Sequence, residues 1–385
     1  MKKVLLVSTR FPFPLNSGFA NKNLNLIEAL SRKYSVDFVL IDKMKPTDKD
    51  IQAIEKYLNN FYYFKPTALD IFIGVLRSII KLMPIHFGLF YSRKASKRIK
   101  ELSDNSDLAV GSVARIWPYF NNLKIPIYMD LADSLTLIYR NNFKIVKNLF
   151  LKFFYFIESI LMRGLEKKIV EKCKNTFVFN KIEAEWLSKF NGLVTQVPHG
   201  VAIDVSNKID EDNTFSNDII IFGKMDFHPN EDAVIWFAEN ILPKLPSEMK
   251  LIAMGASPSN KILSLAEKNA RVVVTGFIEN PYPLIAGSLA SIAPIRLGGG
   301  IQNKVLDSLA CGATIIVSRK VAKALPDFET SGVYVCDDDI DWINTINTLE
   351  NSKHIKSYSN EKGRAYIHKN FSWDAYQNTI IKHVT

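Results

Sequence analysis

Two cations flank a run of three glycines in the second half of the chain. Arg296 lies two residues before Gly298-Gly-Gly300, and Lys304 lies four residues after it, where a strand pattern gives way to a helical one. Glycines let a ligand approach the backbone closely, and a helix N-terminus offers free N–H groups and a positive dipole. Asp307, three residues past Lys304, can accept hydrogen bonds from a sugar hydroxyl. The spacing predicts a site for a diphosphate attached to a sugar.

Two other strand ends in the same half carry residues suited to such a ligand. The apolar run Ile219–Phe222 ends at a glycine followed by Lys224, and the run Val272–Thr275 ends at Gly276, followed by Phe277. Ligands bind beyond the carboxyl ends of parallel strands in open α/β sheets. A solvated lysine is the alternative for Lys224, and core packing is the alternative for Phe277.

The first half offers two further candidates. Gly18 ends a proline-containing loop that follows the first apolar run, and Asp130 and Asp133 follow another. The spacing of three predicts that both carboxylates lie on one face of a helical turn, where Asp133 can orient an acceptor or act as a base. The alternatives are an N-cap at Asp133 and a purely structural loop at Gly18.

The elements that must position these residues alternate between strands and helices. Short apolar runs predict strands at 3–8, 36–41, 61–64, 107–111, 127–130, 176–180, 194–197, 219–222, 250–254, 272–275, 290–294, 314–317 and 333–336. Helical patterns lie at 19–33, 48–58, 68–83, 92–103, 144–172, 181–190 and 229–242. This alternation predicts parallel sheets covered by helices on both faces.

A polar stretch at 200–216 predicts a boundary between two domains. The first would comprise residues 1–203 together with a tail helix within 371–385, and the second would comprise residues 204–370. A chain of 385 residues with 47% apolar and 23% charged residues suits two globular domains.

Cysteine usage and hydropathy bear on the compartment. Three widely separated cysteines give no disulfide framework and no metal-binding pair, which predicts a reducing, cytoplasmic compartment. The most apolar window, Leu149–Met162, is interrupted by Lys152 and Glu158 and is too short to span a bilayer.

The positive charge is confined to one half of the chain. The net charge is +10, but residues 1–200 carry 31 basic against 17 acidic residues, and the remainder carries 18 against 22. The basic clusters in 93–100 and 144–174 lie beside apolar runs. This combination favours peripheral contact with an anionic membrane over a nucleic-acid groove. A core helix with a solvated basic face is the alternative.

The segment from Arg296 to Gly312 resembles the donor-binding signature of GT-B glycosyltransferases. These belong to the large retaining superfamily that includes many bacterial surface-polysaccharide enzymes. That superfamily places two glutamates eight positions apart, and here those positions hold Gly299 and Asp307. The chain is similar instead to a subset with the pattern Arg-x-Gly-x-Gly-Ile-Gln-Asn-Lys-Val-Leu-acid. The resemblance covers nearly the whole chain and is strongest over 218–318.

The resemblance implies an α/β architecture of the GT-B type. Two Rossmann-like domains would face each other across a cleft, with the C-terminal helix packing back on the first domain. The donor would be a nucleotide-diphosphate sugar carrying UDP or GDP, with no metal and no other cofactor. The implied donor contacts are Gly18, Lys224, Gly276, Phe277, Arg296, Gly299, Gly300, Ile301, Lys304 and Asp307. The implied catalytic residues are Asp133 and Asp307.

The reaction implied by the resemblance is transfer of the sugar, with retention, to a hydroxyl of a lipid-linked glycan at the inner face of the cytoplasmic membrane. Two alternatives stay open. A GT-B nucleotide-sugar epimerase would act on a soluble substrate, and a non-catalytic sugar-nucleotide-binding subunit is compatible with the glycine at position 299.

Overall fold

The structure, a computed structural model, describes residues 1–14, 18–146, 148–198, 200–201, 209–296, 301–352 and 356–385. It divides into two compact units, Met1–Gly200 with Trp373–Thr385, and Val201–Ser372. The predicted boundary between residues 203 and 204 lies outside the described residues.

The first unit, as far as it is described, contains a seven-stranded parallel sheet. Its strands are β1 (Lys2–Ser8), β2 (Tyr34–Ile41), β3 (Asn60–Phe64), β4 (Leu108–Ser112), β5 (Ile127–Ala132), β6 (Asn175–Val178) and β7 (Val194–Gln196). Their spatial order is β3-β2-β1-β4-β5-β6-β7, with β1 paired to both β2 and β4. Alternate residues of a strand point to opposite faces. Accordingly, Leu5 and Val7 enter one buried cluster, and Val4 and Leu6 enter another.

Helices cover the faces of this sheet. They are α1 (Gly18–Ser31), α2 (Asp48–Glu55), α3 (Ala68–Ile80), α4 (Arg93–Ser103), α5 (Trp117–Phe120), α6 (Leu135–Ile145), α7 (Leu149–Lys172) and α8 (Lys181–Leu187). Short 3₁₀ turns lie at Ile85–Phe90 and Ala114–Ile116.

The prediction of one helix over 144–172 is wrong. Helix α6 ends at Ile145 and α7 begins at Leu149, after Asn148, whose side-chain oxygen accepts a hydrogen bond from the N–H of Leu151 at 3.1 Å. Asparagine competes for backbone N–H groups and is therefore favoured at helix starts rather than within helices.

The second unit, in its described part, contains a six-stranded parallel sheet. Its strands are β8 (Ile219–Phe222), β9 (Leu251–Met254), β10 (Val272–Gly276), β11 (Ala290–Ala293), β12 (Ile315–Ser318) and β13 (Tyr334–Cys336), in the order β10-β9-β8-β11-β12-β13. Its helices are α9 (His228–Asn240), α10 (Asn260–Lys268), α11 (Tyr282–Gly287), α12 (Asn303–Cys311), α13 (Arg319–Ala322), α14 (Asp339–Asn351) and α15 (Lys356–Asn370). Short 3₁₀ turns lie at Asn213–Phe215, Leu242–Lys244 and Phe328–Thr330.

The last helix, α16 (Trp373–His383), packs on α1 of the first unit, as predicted. Tyr376 is buried and donates a hydrogen bond from its hydroxyl to Asp130 Oδ2 at 2.9 Å. The hydroxyl of Tyr34 donates to the carbonyl of Val384 at 2.9 Å. These contacts attach the end of the chain to the first sheet.

The predicted strands are all present, with ends that differ from the prediction by at most two residues. No helix in the described part of the chain is both long and apolar enough to cross a membrane.

Candidate functional site

Three strands of the second sheet end in glycines with left-handed backbone geometry. Gly223 follows β8, Gly255 follows β9 and Gly276 ends β10, with φ angles of 127°, 149° and 70°. Residues with a Cβ rarely adopt such angles, so glycine is needed at each of these strand ends. Because the strands are parallel neighbours, the three glycines lie at one edge of the sheet, which is the carboxyl edge.

The strand ends approach each other closely at this edge. A Cβ atom at Gly255 would lie 1.8 Å from the carbonyl oxygen of Gly223, so the two backbones leave no room for a side chain. A Cβ at Gly223 would lie 3.1 Å from Asn230 Nδ2 and 3.9 Å from the Nζ of Lys304. A Cβ at Gly276 would meet nothing within 4 Å. The edge is therefore tightly packed at β8 and β9 and open at β10.

Lys304 lies in the first turn of α12 and is almost entirely buried. Its Nζ donates a hydrogen bond to Asn230 Oδ1, and the Asn230 amide donates in turn to the carbonyl of Lys224 at 2.8 Å. Burial lowers the pKa of Lys304 to about 8. Among the described residues no carboxylate pairs with this ammonium, so a positive charge is held beneath Gly223 without a counter-ion.

Asp307 follows one turn later on the same helix and is partly buried. Burial raises the pKa of its carboxyl group to about 7. Tyr282, at the start of α11, lies near enough for the Asp307 charge to contribute to a rise in the tyrosine pKa to about 12, although burial is the larger cause. At neutral pH Asp307 is thus divided between its neutral and ionised forms, and it can donate or accept a hydrogen bond.

A cavity of about 230 Å³ opens beside the glycine edge. Its lining residues are Phe222, Gly223, Lys224, Met254, Gly255, Ala256, Phe277, Ile278 and Pro281. Phe277 is 74% exposed, which an aromatic ring in a core would not be. Lys224 is also exposed, and its Nζ lies 3.2 Å from Asp226 Oδ2. The cavity therefore has mostly apolar walls, and at its rim lies a lysine that pairs with an aspartate.

Arg296 makes contacts that the sequence did not predict. Its guanidinium forms a two-pronged ion pair with Asp232, with distances of 3.1 and 2.7 Å, and lies over the ring of Trp236 at 5.5 Å from the centroid. The Arg296 side chain therefore packs against α9, and Asp232 of that helix neutralises its charge.

Other predicted donor residues can be placed only in part. Gly299 and Gly300 lie outside the described residues, as do residues 15–17. Gly18 is the first residue of α1. Ile301 is partly buried and packs against the core of the second unit.

In the first unit the two predicted carboxylates have different surroundings. Asp130 lies within β5, is buried, and pairs with Lys22 Nζ at 3.0 Å. Asp133 lies in the turn after the strand, and its N–H donates to the carbonyl of Leu131 at 2.8 Å. The prediction that both lie on one face of a helical turn is wrong, because the strand continues to Ala132.

The alternative of an N-cap at Asp133 is also wrong. The N-cap of α6 is Ser134, whose hydroxyl accepts from the N–H of Leu137. The charge of Asp133 contributes, after burial, to a rise in the pKa of buried Glu183 to about 8. Ser134 also donates to both oxygens of buried Glu166, at 3.1 and 3.0 Å. Glu183 is thus close enough to Asp133 and Glu166 for both charges to raise its pKa.

Sequence reasoning missed Asn230, Tyr282, Glu166 and Glu183. The sequence predicts only that Asn230 lies near the start of a helix. Its contact with Lys304, 74 residues later, has no signal in the spacing of the two residues. The two glutamates lie on amphipathic helices, where an acidic residue ordinarily faces solvent. Within the described ranges no group of three or more histidine, cysteine, aspartate and glutamate side chains is arranged to hold a metal ion.

Known proteins resemble this chain in sequence. Residues 216–351 match the family model described as Glycosyl transferases group 1. An uncharacterized 44.6 kDa protein in the cps region of Klebsiella pneumoniae is 22% identical over 325 residues, covering 80% of this chain and 81% of that protein.

Solved structures share the fold over nearly the whole chain. The Anabaena protein Alr3699/HepE in complex with UDP aligns with a TM-score of 0.65 at 10% identity, covering 99% of both chains. A structure of the same protein with UDP-glucose aligns at 0.61 and 12% identity, again over 99% of both chains. Sucrose-phosphate synthase from Thermosynechococcus elongatus aligns at 0.62 and 12% identity, covering 98% of this chain and 97% of that one.

The chain has two parallel sheets, each covered by helices, and this is the fold of GT-B glycosyltransferases. The family match over residues 216–351, in the second unit, points to the same class. Residues 216–351 match the group 1 family and the chain has the GT-B fold, and these findings support glycosyltransferase activity. The resemblance seen in the sequence is thereby confirmed for the fold and for the class of enzyme.

Proposed function

We propose that the protein transfers a sugar from a nucleotide-diphosphate sugar, with UDP as the nucleotide, to a hydroxyl group of an acceptor glycan. The observation that carries this proposal is the buried Lys304 ammonium beside the glycine edge, which has no carboxylate partner among the described residues. A diphosphate supplies the missing negative charge. The neighbouring apolar cavity offers Phe277 and Ile278 as walls for the base. The complexes of HepE with UDP and UDP-glucose favour UDP over GDP.

Negative charge develops on the departing diphosphate during transfer, and cations at the carboxyl edge of the second sheet would stabilise it. The bond between the anomeric carbon and a diphosphate oxygen breaks, a bond to the acceptor oxygen forms, and the electron pair stays on the diphosphate. A fixed cation and helix N–H groups placed where that charge develops stabilise the transition state. We assign this role to Lys304 and the start of α12, with Lys224 at the rim. Arg296 would join them only after releasing Asp232.

The remaining donor contacts stay predictions. We assign Asp307 to a hydroxyl of the ribose or the sugar, since its divided protonation suits a hydroxyl partner. We assign Gly299, Gly300 and Ile301 to backbone contacts with the diphosphate, and Gly18 to the phosphates or the acceptor.

We propose Asp133 as the group that accepts the proton of the acceptor hydroxyl. It follows the carboxyl end of β5, where ligands of parallel sheets bind. Glu183 is buried nearby, and burial together with the Asp133 charge raises the pKa of Glu183 to about 8. Retention at the anomeric carbon rests on the resemblance alone.

The acceptor is proposed to be a lipid-linked glycan of surface-polysaccharide synthesis. The cps-region relative supports the polysaccharide. The lipid is supported by two exposed apolar stripes in the first unit. One is on α3, and its members are Leu69, Phe72, Leu76, Ile79 and Ile80; the other is on α7, and its members are Leu149, Phe150, Phe153, Phe156 and Ile160.

Cations accompany these stripes. A cavity of about 260 Å³ between α3, the 3₁₀ turn Ile85–Phe90 and α7 is lined by Arg77, Lys81 and Lys168, among other residues. Exposed apolar side chains beside basic ones favour binding at the surface of an anionic membrane. We therefore propose that α3 and α7 contact the inner face of the cytoplasmic membrane.

Release of UDP tests the reaction. The protein is incubated with a panel of UDP- and GDP-sugars, with and without a lipid-linked glycan acceptor, and free nucleoside diphosphate is measured. We expect acceptor-dependent release of UDP from one donor. Interconversion of the donor sugar without an acceptor would instead identify an epimerase. Binding of UDP with no turnover of any donor would identify a non-catalytic subunit.

Cosedimentation with vesicles tests the membrane contact. We expect binding to phosphatidylglycerol vesicles, weaker binding to phosphatidylcholine, and loss of binding in a Phe150→Glu, Phe153→Glu variant. The matched control is Ile340→Glu, which alters a 66% exposed apolar residue of the second unit. Equal loss in the control variant, or none in either, would contradict the assignment of this surface.

A further inference from the structure

Two arginines at the carboxyl edge of the first sheet have aromatic partners and, within the described part of the chain, no carboxylate partner. Arg10 follows β1 and Arg115 follows β4, and these two strands pair directly. The Arg10 guanidinium lies over the ring of Phe19 at 4.6 Å from its centroid, and that of Arg115 lies over Phe90 at 5.2 Å. Both cations therefore lie on the same edge of the sheet, two or three residues past the strands.

Arg115 is held there at a cost in free energy. It is half-buried, and its buried Nε has no hydrogen-bond partner. Burial lowers the pKa of Arg115, and the positive charge of Arg10 lowers it further. An unpaired, partly desolvated charge beside a like charge destabilises a fold unless an anion is bound. The arginines of α4 differ, because Arg93 pairs with Asp70 and Arg98 with Glu101.

The backbone around Arg10 is held in place. Asn23 is buried and donates hydrogen bonds from Nδ2 to the carbonyl of Arg10 at 2.8 Å and to Ser8 Oγ at 3.2 Å. Its Oδ1 accepts a hydrogen bond from Ser112 at the end of β4, at 2.7 Å. One side chain thus connects the ends of the two strands from which the arginines extend, which fixes the spacing of the pair.

We propose that Arg10 and Arg115 form an anion site for a phosphate or diphosphate group of the acceptor. Guanidinium groups match the geometry of phosphate oxygens through paired hydrogen bonds. The inference rests on the proposed function, since it takes the first unit as the acceptor side. It adds that the acceptor carries a phosphate, either in a lipid diphosphate or in a sugar phosphate.

Calorimetric titration of the full chain tests this site. UDP is kept saturating so that the donor site is filled, and the probes are farnesyl diphosphate and glucose 6-phosphate, with farnesol and glucose as uncharged counterparts. We expect at least one phosphate-bearing probe to bind and its uncharged counterpart to bind at least tenfold more weakly. Which probe binds identifies the source of the phosphate.

Substitutions test whether the two arginines bind the phosphate-bearing probe. We expect Arg115→Gln to lower the affinity for the phosphate-bearing probe at least tenfold and to leave UDP affinity unchanged. The same result is expected for a second variant, Arg10→Gln, which alters an exposed position. The matched control is Arg98→Gln, since Arg98 also lies over a ring, that of Tyr62 at 4.5 Å, but has an acidic partner. If UDP binds and neither probe does, or if both arginine variants bind the probe like the wild type, the inference is wrong. Failure of UDP itself to bind would contradict the proposed donor site instead.

Discussion

The ammonium of Lys304 donates a hydrogen bond to the side-chain oxygen of Asn230, and the two residues are 74 positions apart in the chain. An amide oxygen orients the ammonium without neutralising it. The Asn230 amide is itself held by the carbonyl of Lys224, which follows the glycine edge. The arrangement keeps a full positive charge available to a ligand, and the predictions below test that charge and the edge around it.

Asn230→Asp is expected to separate stability from function. A carboxylate in place of the amide would pair with the Lys304 ammonium and satisfy its charge. We expect the thermal unfolding temperature to rise or stay unchanged. UDP affinity should fall about tenfold, because the diphosphate then competes with the introduced carboxylate for the Lys304 ammonium. Calorimetric titration and thermal unfolding measure the two effects. An Asp variant that binds UDP as tightly as the wild type would contradict the role given to the Asn230–Lys304 contact.

Two glycine substitutions at neighbouring strand ends should differ sharply. Gly255→Ala would place a Cβ 1.8 Å from the Gly223 carbonyl oxygen, which forces the ends of β8 and β9 apart. Gly276→Ala meets open space and bears only the strain of its positive φ, about 1–2 kcal/mol. Denaturant unfolding should show a much larger loss for Gly255→Ala. Equal losses would mean that the edge is not packed as described.

The strands and the signature helix were predictable because their signals are local. The runs at β8 and β9 are continuous and apolar, as buried parallel strands are, and a glycine follows each of them. The position of Lys304 in the first turn of a helix followed from the pattern of α12.

What could not be predicted depends on side chains that are distant in sequence. Arg296 was expected at the diphosphate, but Asp232 and Trp236 on α9 lie next to it once β8 and β11 pair. Asp130 was expected to share one face of a helical turn with Asp133, but the packing of α1 and α16 on the sheet surrounds it with Lys22 and Tyr376. A single sequence carries no signal for such pairings.

Tyr376→Phe should loosen the last helix. It removes the hydroxyl that donates to Asp130, a buried carboxylate that Lys22 also contacts. Loss of a hydrogen bond to a charged group costs about 1.5–3 kcal/mol. We expect that decrease in the free energy of unfolding, measured in denaturant, and faster amide exchange in α16. A matched control is Tyr62→Phe, whose hydroxyl accepts a bond from Arg98 at a partly exposed site. A larger effect in the control would contradict the account.

Glu183→Gln should change how stability depends on pH. The pKa of Glu183 is raised to about 8 in the folded protein, from 4.5, so between these values the folded state binds more protons than the unfolded state. The free energy of unfolding of the wild type should therefore fall, relative to the Gln variant, as pH rises from about 5 to 8, by on the order of 3 kcal/mol. Denaturant unfolding at several pH values measures the difference. A difference independent of pH would show that Glu183 is already ionised at pH 5.

The most direct test is the affinity of UDP for the wild type and for Lys304→Met at pH 7, below the pKa of about 8 that burial gives Lys304. The substitution removes the charge and retains an unbranched side chain of similar length, so the fold should be as stable as the wild type or more so. A control, Lys244→Met, removes an exposed lysine of the same unit that pairs with Asp339. We predict that UDP affinity falls at least tenfold in Lys304→Met and stays unchanged in Lys244→Met. A folded Lys304→Met variant that binds UDP with the affinity of the wild type would contradict the assignment of the donor site.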